Sequence, residues 1–307
     1  MTAAVTISVT KDDSSTPTSQ SGNDFGLASA NDKGPANIIT EDPSCAAWRP
    51  ISDTFADIQK KGWNKRDPAI PATAWTPEQR AQYEEVGRAA RNAADQTVQL
   101  AKLTPHRVMR EVFEQFVAYA RAYSDAIPTY KPSDDNLAGV VTSTGTALGD
   151  ICSAIDWHSA EARSPLISAP APPSDFAALT DPNDPKRFLT TADPTCPEWV
   201  RLIDRFDVDT KAWQDLNPNI RASDWSTEQR VVIDAVLPVM KQYADSVEKL
   251  GRSSANPVIQ DLAVASAQYR RAYSAGLPTY TSADYYLAEA AVRTTSTIYA
   301  ACKAVAE

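Results

Sequence analysis

One ten-residue segment occurs twice in this chain, and this repetition constrains the fold more than any other feature. RAYSDAIPTY at residues 121–130 has a near-copy, RAYSAGLPTY, at residues 271–280, which is 150 positions later. The agreement extends upstream, because WTPEQR at residues 75–80 recurs as WSTEQR at residues 225–230. The sequence therefore predicts a tandem duplication, and two units of this length are domains rather than solenoid repeats.

The spacing of apolar residues within each copy is helical. The second predicted helix of the later copy carries an a/d stripe of Ile233, Val236, Met240, Tyr243, Val247 and Leu250. Thr76, Pro77 and Gln79 form a capping-box pattern at the start of the equivalent helix in the earlier copy. Pro128 and Pro278 are expected to end the third helix of each copy.

No segment shows convincing period-two alternation, so the fold class is predicted to be all-α, with two antiparallel four-helix bundles. The predicted parts are a disordered juxtamembrane spacer at 1–41, a first bundle at 42–160, a proline-rich linker at 161–192 and a second bundle at 193–307. The proline density of the linker favours a semi-rigid spacer that sets the separation of the bundles.

Four cysteines occupy matching places in the two copies. Cys45 and Cys196 open the first helices, whereas Cys152 and Cys302 lie late in the fourth helices. Of the three possible pairings, only Cys45–Cys152 with Cys196–Cys302 respects the repeat. Each disulfide would close a loop of roughly 100 residues. The alternative to two disulfides is four buried free thiols. Disulfides would place the chain in an oxidising compartment.

The repeated decapeptide has two interpretations. In the first, it is a packed corner between the third and fourth helices of each bundle. In the second, tyrosine and arginine side chains line a shallow binding recess, because these residue types are favoured in binding sites. The candidate binding residues are Arg121, Tyr130 and Asp134, with their copies Arg271, Tyr280 and Asp284.

The two copies differ in one way that suggests a cavity. Phe113 and Phe116 correspond to Ala263 and Ser266, and the loss of two rings would leave a void unless other side chains fill it. The favoured outcome is that Tyr285 and Tyr286 repack into the space. If a ligand pocket is present instead, it is expected between the third and fourth helices of the second bundle, bounded by Ala263, Ser266, Tyr269, Tyr285 and Tyr286.

Catalytic, metal and cofactor sites are not indicated. The two histidines, His106 and His158, lack a counterpart in the other copy, and no nucleophile elbow, phosphate loop or zinc motif is present. The net charge of −9 disfavours nucleic acid as a partner.

The N-terminus resembles the end of a membrane helix. AAVTISVT at residues 3–10 is a β-branched apolar run, and a polar Ser/Thr/Asp segment of disorder-prone composition follows it. We expect the native chain to continue upstream of Met1 into a membrane helix; the alternative is an ordinary flexible N-terminus.

Longer motifs carry a resemblance to a group of bacterial proteins. SANDKGPANIITEDPSCAAW, PATAWTPEQRAQYE and the paired cysteine-containing bundles resemble extracytoplasmic regions of mycobacterial and other actinobacterial membrane-anchored proteins of uncharacterised function. The resemblance implies a cell-envelope location, outside the cytoplasm. The sequence as a whole favours a non-catalytic binding or scaffolding domain with an envelope protein as partner. The alternative is a carrier or sensor of a lipid or small molecule in a bundle cavity.

Overall fold

The structure is a computed structural model that describes residues 24–306. Within those residues it is helical throughout, with no strand, as predicted. The α-helices are α1 (Cys45–Lys60), α2 (Pro77–Leu103), α3 (Arg107–Ala126), α4 (Asp135–Asp156), α5 (Ser159–Arg163), α6 (Cys196–Asp209), α7 (Lys211–Gln214), α8 (Thr227–Ser253), α9 (Pro257–Gly276) and α10 (Tyr285–Ala304). We call residues 42–160 the first half and residues 193–306 the second half.

The ends of the long helices follow the local signals in the sequence. The backbone N–H of Gln79 donates to Thr76 Oγ1 over 3.2 Å, and the side chain of Gln79 accepts from the Thr76 N–H over 2.9 Å. Ser226 and Gln229 make the same two bonds at the start of α8. A short 3-10 turn that contains Pro128 ends α3, as expected for a residue that cannot continue the helical bonding.

The predicted disulfides are both present. Cys45 is bonded to Cys152 and Cys196 to Cys302, with Cα–Cα distances of 5.3 Å in each case. Each bond ties the start of the first helix of a half to the late part of its fourth helix. Two buried disulfides indicate an oxidising, non-cytoplasmic compartment.

The two halves contact each other directly through α4 and α10, the helix pair with the most extensive contact. Small residues allow this close approach, since a Cβ added to Gly139 would lie 3.2 Å from Ala300 Cβ. A second contact joins α3 to α9, where Arg107 makes a buried bidentate ion pair with Asp261 over 2.7 and 3.0 Å. One apolar core therefore runs through both halves.

The proline-rich linker does not act as the expected spacer between separated bundles. Tyr119 Oη donates to the carbonyl of Leu189 over 3.2 Å, and Gln115 Nε2 donates to that of Lys186 over 3.2 Å. Arg163 forms an ion pair with Asp284 of the second half over 2.8 Å. These contacts hold the linker against the helices, because the buried tyrosine and glutamine side chains of α3 need the polar partners that its backbone supplies.

Residues 24–41 correct the other expected spacer. They are ordered and bonded to both halves: the N–H of Ala28 donates to the Lys102 carbonyl over 2.9 Å, and the N–H of Ile39 donates to Tyr269 Oη over 3.2 Å. The apolar side chains of Leu27, Ala36, Ile38 and Ile39 are buried, which explains why this segment packs. The remainder of the predicted spacer, residues 1–23, lies outside the described residues.

Candidate functional site

The repeated decapeptide forms a packed corner in each half. Tyr130 Oη donates to the Pro68 carbonyl over 3.0 Å, and Tyr280 Oη donates to that of Pro218 over 2.7 Å. Both tyrosines are buried. Since the same bond recurs at matching positions, the packed-corner interpretation accounts for the repeated tyrosines.

The charged candidates of the decapeptide corner have separate partners. Arg121 contacts Asp95 of α2 over 2.6 Å, and Arg271 contacts Asp245 of α8 over 2.7 Å. The two aspartates are also paired. Asp134 accepts a hydrogen bond from the Lys131 N–H over 2.7 Å, and Asp284 accepts hydrogen bonds from the Thr281 N–H and from Arg163. These contacts explain the residues as structural, and a shared binding recess stays a prediction.

The region around Ala263 is closed, so the pocket is not where the sequence predicted it. A Cβ added to Gly251 would lie only 2.1 Å from Ala263 Cβ, which shows how closely α8 approaches α9 there. Ser266 Oγ donates to the Ala291 carbonyl over 2.8 Å, and Tyr269 Oη is bonded to residue Ile39. Backbone approach therefore removes the space that the lost Phe113 ring would have left.

The second lost ring is replaced from a different helix. In the first half, Phe55 of α1 contacts Phe116 of α3, with ring centroids 6.3 Å apart. In the second half, the equivalent Phe206 stacks on Tyr243 of α8, with centroids 3.8 Å apart. Tyr243 stands where the first half has Ala93. Tyr243, rather than the expected Tyr285 or Tyr286, thus supplies the ring that stacks on Phe206, while Tyr286 packs against the edge of the core.

A cavity does lie in the second half, on the other side of this aromatic pair. Its volume is about 430 Å³, and it lies between α6, α7, α8 and α10. Of the residues expected to bound the pocket, only Tyr285 lines it; Ala263, Ser266, Tyr269 and Tyr286 do not. We call this space the aromatic cavity, after its ring-bearing lining residues Phe206, Trp213, Trp225, Tyr243, Tyr273, Tyr280 and Tyr285.

A stacked ring pair and an ion pair occupy the equivalent place in the first half. Tyr83 stacks on Trp75 with ring centroids 4.0 Å apart. Arg66 lies over the ring of Trp63, 3.4 Å from its centroid, and forms an ion pair with Asp135. These groups fill the corner between the helices.

Three exchanges distinguish this corner in the second half. Tyr83, Arg66 and Asp135 are replaced there by Ile233, Leu216 and Tyr285, all of which line the aromatic cavity. The loss of the Tyr83 ring and of the Arg66–Asp135 ion pair opens the inner part of the corner, whereas the exposed Tyr285 adds a ring at its edge. Sequence reasoning compared the third helices and missed these positions, although an alignment of the two halves shows all three exchanges.

The floor of the aromatic cavity is buried and its hydrogen-bonding groups are mostly paired. Trp213 Nε1 donates to Tyr273 Oη over 2.9 Å, as Trp63 does to Tyr123 in the first half. Burial raises the pKa of Tyr273 to about 12, so this hydroxyl stays protonated at physiological pH. The floor thus offers an apolar, neutral surface.

The rim of the cavity is charged. Asp204 and Asp207 of α6 are exposed, whereas Glu289 of α10 is paired with Arg293 over 2.7 Å. Across from them on α4, burial raises the pKa of Asp150 to about 7, and the nearby Glu289 carboxylate adds to this effect. A ligand in this cavity would therefore meet rings inside and ionisable groups outside.

Neither histidine lies at this site. His106 Nε2 is 2.9 Å from the Glu41 carbonyl, and His158 is exposed beside Glu161. Among residues 24–306, no cluster of three His, Cys, Asp or Glu side chains has a geometry that would hold a metal ion. No helix within that range combines the length and apolar character needed to cross a membrane.

Comparison with known proteins shows the family. Residues 27–307 match the model of a family described as mycobacterial ESX-1 associated protein, and the chain belongs to that family. An uncharacterized protein of Mycolicibacterium smegmatis (strain MKD8) is 48% identical over 313 residues, covering 100% of this chain and 83% of the relative. No solved structure matches the chain.

Proposed function

We propose that this member of the ESX-1 associated family is a non-catalytic binding protein of the mycobacterial cell envelope, and that it binds a lipid or other small molecule in the aromatic cavity. The family description supplies the link to ESX-1. The two disulfides support a location outside the cytoplasm. It would be tethered to the membrane there, and a secretion-system protein would be its partner.

The observation that carries the proposal is the opening of the aromatic cavity in one half only of a pair of matched corners. At about 430 Å³ the cavity falls within the roughly 300–1,000 Å³ typical of ligand sites. Its floor is apolar and buried, and its polar groups lie at the rim. This arrangement is that of a site for an amphipathic small molecule.

A variant that restores the first half's residues tests this function. Leu216→Arg, Ile233→Tyr and Tyr285→Asp together would place at the inner part of the cavity the ring and the ion pair that Tyr83, Arg66 and Asp135 supply in the other corner. Native mass spectrometry of gently purified wild-type protein should show a bound ligand, and the triple variant should have lost it. Val231→Ala is the matched control, because it also installs the first half's residue but lies on an exposed surface.

Two results would contradict the proposal. One is a wild-type protein that holds no ligand and gains none from a lipid extract of the envelope. The other is a folded triple variant that keeps the same ligand mass as the wild type. Circular dichroism and disulfide mapping of the variant establish whether it has folded.

A scaffolding role is the second candidate, and a specific surface feature favours it. The side chain of Trp157, at the C-terminal end of α4, is 62% exposed, and Leu166 nearby in the chain is 51% exposed. Large exposed aromatic side chains are typical anchors of protein interfaces. If a purified ESX-1 component binds the chain, Trp157→Ser should weaken that complex while leaving the ligand in the aromatic cavity unchanged; unchanged affinity would remove Trp157 from the interface.

A further inference from the structure

A buried arginine lies behind the floor of the aromatic cavity. Arg270 of α9 is only 1% exposed. Its guanidinium carbon lies 5.0 Å from the ring centroid of Phe206 and 5.7 Å from that of Trp213, and both rings line the cavity. The first half has Ala120 at this position, and the cation over its equivalent ring, Trp63, is the ion-paired Arg66.

The hydrogen-bonding capacity of Arg270 is largely unused. Nη2 donates to the Ala288 carbonyl over a long 3.4 Å, while Nε and Nη1 have no partner among residues 24–306. No carboxylate of the described residues lies within ion-pair distance of it. Burial lowers its pKa, but an arginine remains charged at physiological pH.

An unpaired buried charge of this kind calls for an explanation. Removing an ion from water without a partner is strongly unfavourable. The cation–π contacts with the two rings offset only part of the lost hydration free energy. A ligand anion at the inner end of the cavity would supply the missing partner.

Building on the proposed function, we propose that the ligand of the aromatic cavity is an anionic amphiphile: its apolar body lies against the aromatic floor and its single anionic head group binds at the inner end, next to Arg270. Arg270 does not itself line the cavity, and its positive charge attracts the head group from behind the Phe206 and Trp213 rings. A charge that is shielded from water acts strongly over such short distances.

The acidic rim does not argue for a cationic ligand instead. Asp204 and Asp207 are exposed, so water screens them, and Asp207 already accepts from Gln214 over 3.0 Å. Glu289 is neutralised by Arg293. The charge that lacks both water and a partner is therefore the positive charge of Arg270.

A series of ligands with one tail and different heads tests this inference on the intact chain. Decanoate, decanol and decylamine share the apolar body and differ in the charge of the head group. Comparing decyl phosphate with decanoate distinguishes binding of a phosphate head from binding of a carboxylate. We expect the anionic members to bind at least about tenfold more tightly than decanol, measured by tryptophan fluorescence and calorimetry. Decylamine should bind no better than decanol.

Variants at α9 assign the preference to one side chain. Arg270→Gln should reduce decanoate affinity about tenfold and leave decanol affinity unchanged. Arg270→Lys should retain most of the preference. The matched control is Arg271→Gln, which alters the neighbouring arginine that pairs with Asp245 and Glu248 on the other side of α9.

The outcomes separate this inference from the proposed function. Equal binding of decanoate and decanol, or tightest binding of decylamine, would overturn the anionic head while leaving a ligand cavity. Binding of none of the four would count against the proposed function itself. The head-group series on wild-type protein decides the question even where the variants fail to fold.

Discussion

The two halves have the same helical framework and different core filling. The features that recur are those that set the ends and corners of helices: the capping boxes, the disulfides and the Tyr130–Pro68 and Tyr280–Pro218 bonds. The features that differ are side chains inside that framework. The comparison teaches that a helix bundle tolerates exchange of its core residues when each lost volume is supplied from another helix.

At one corner the exchange leaves a space. Ser266 replaces Phe116, and Tyr243 supplies a ring from the opposite helix, so the inner core stays full. Ile233 and Leu216 replace Tyr83 and Arg66, and the new side chains Tyr285 and Arg270 lie at the edge of the corner and behind its floor rather than within it. Under the proposed function, a ligand supplies the stabilising contacts in the remaining space.

The largest expected effect tests the shared framework. The disulfide loops span 107 and 106 residues, so the chain-entropy model assigns each about 4–5 kcal/mol of stabilisation. Replacing Cys45 and Cys152 by serine, or Cys196 and Cys302, should reduce the free energy of unfolding by nearly equal amounts in urea titrations. A much smaller loss for one pair would show that the two frameworks are not equivalent.

The next prediction concerns the aromatic partner of the first helix in each half. Phe116→Ala and Tyr243→Ala should each lower the free energy of unfolding by about 3–5 kcal/mol, because each removes the ring that packs on Phe55 or Phe206. Ser266→Ala is the control, since it removes only a hydroxyl that donates to a helix carbonyl; about 1 kcal/mol is expected. A loss at Ser266 as large as that at Tyr243 would contradict the proposed exchange of rings.

The shared framework could be predicted from the sequence, whereas the exchange of core rings could not. Caps, helix-ending prolines and paired cysteines act locally or through topology, so the helices and both disulfides follow from the sequence. The exchange of Phe116 for Tyr243 links residues far apart in the chain, and a comparison of third helices alone does not reveal it. A position-by-position comparison of the two complete halves shows the exchanges at the aromatic cavity.

The contact between the halves was missed for a different physical reason. The sequence pattern places the apolar stripe of α4 in the core of its own bundle. Ala138 and Val140, which lie outside that stripe, are buried as well. Buried side chains around most of a helix indicate packing on two sides. The width of that apolar surface, rather than its periodicity, is the signal for the α4–α10 contact.

A smaller change in stability is expected where the close approach of α8 and α9 takes the place of the Phe113 ring. Gly251 stands where the first half has Ala101, and a Cβ there would lie 2.1 Å from Ala263 Cβ. Gly251→Ala should therefore destabilise the protein by about 1–3 kcal/mol in spite of its better helix propensity. Ala101→Gly in the first half should cost about 1 kcal/mol, from propensity alone. Thermal melts measure both, and a stabilised Gly251→Ala variant would show that α8 and α9 are not packed so closely.

The last prediction is a pH dependence at the contact between the halves. Asp150 of α4 is half-buried, and its Oδ2 lacks a partner among residues 24–306. The charged or titratable groups that face it from α10 are Tyr285, Glu289 and Arg293. Its pKa is raised to about 7, whereas an unfolded aspartate titrates near 3.8. Between these values the folded chain binds the proton more tightly than the unfolded chain does.

The sign of the effect follows from that difference in proton binding. Folding is favoured while Asp150 is protonated, so its contribution to the free energy of unfolding falls as the pH rises from about 4 to about 7 and stays low above. Asp150→Asn keeps the size and removes the charge, and it should stabilise the protein at pH 8 by up to about 4 kcal/mol relative to its effect near pH 4. The second half carries Ala300 at this position, so Ala300→Gly is a control without a titrating group, and its effect should not depend on pH. Urea titrations at the two pH values measure the difference, and an Asp150→Asn effect that is the same at both would mean that Asp150 is ionised throughout and is stabilised by Arg293.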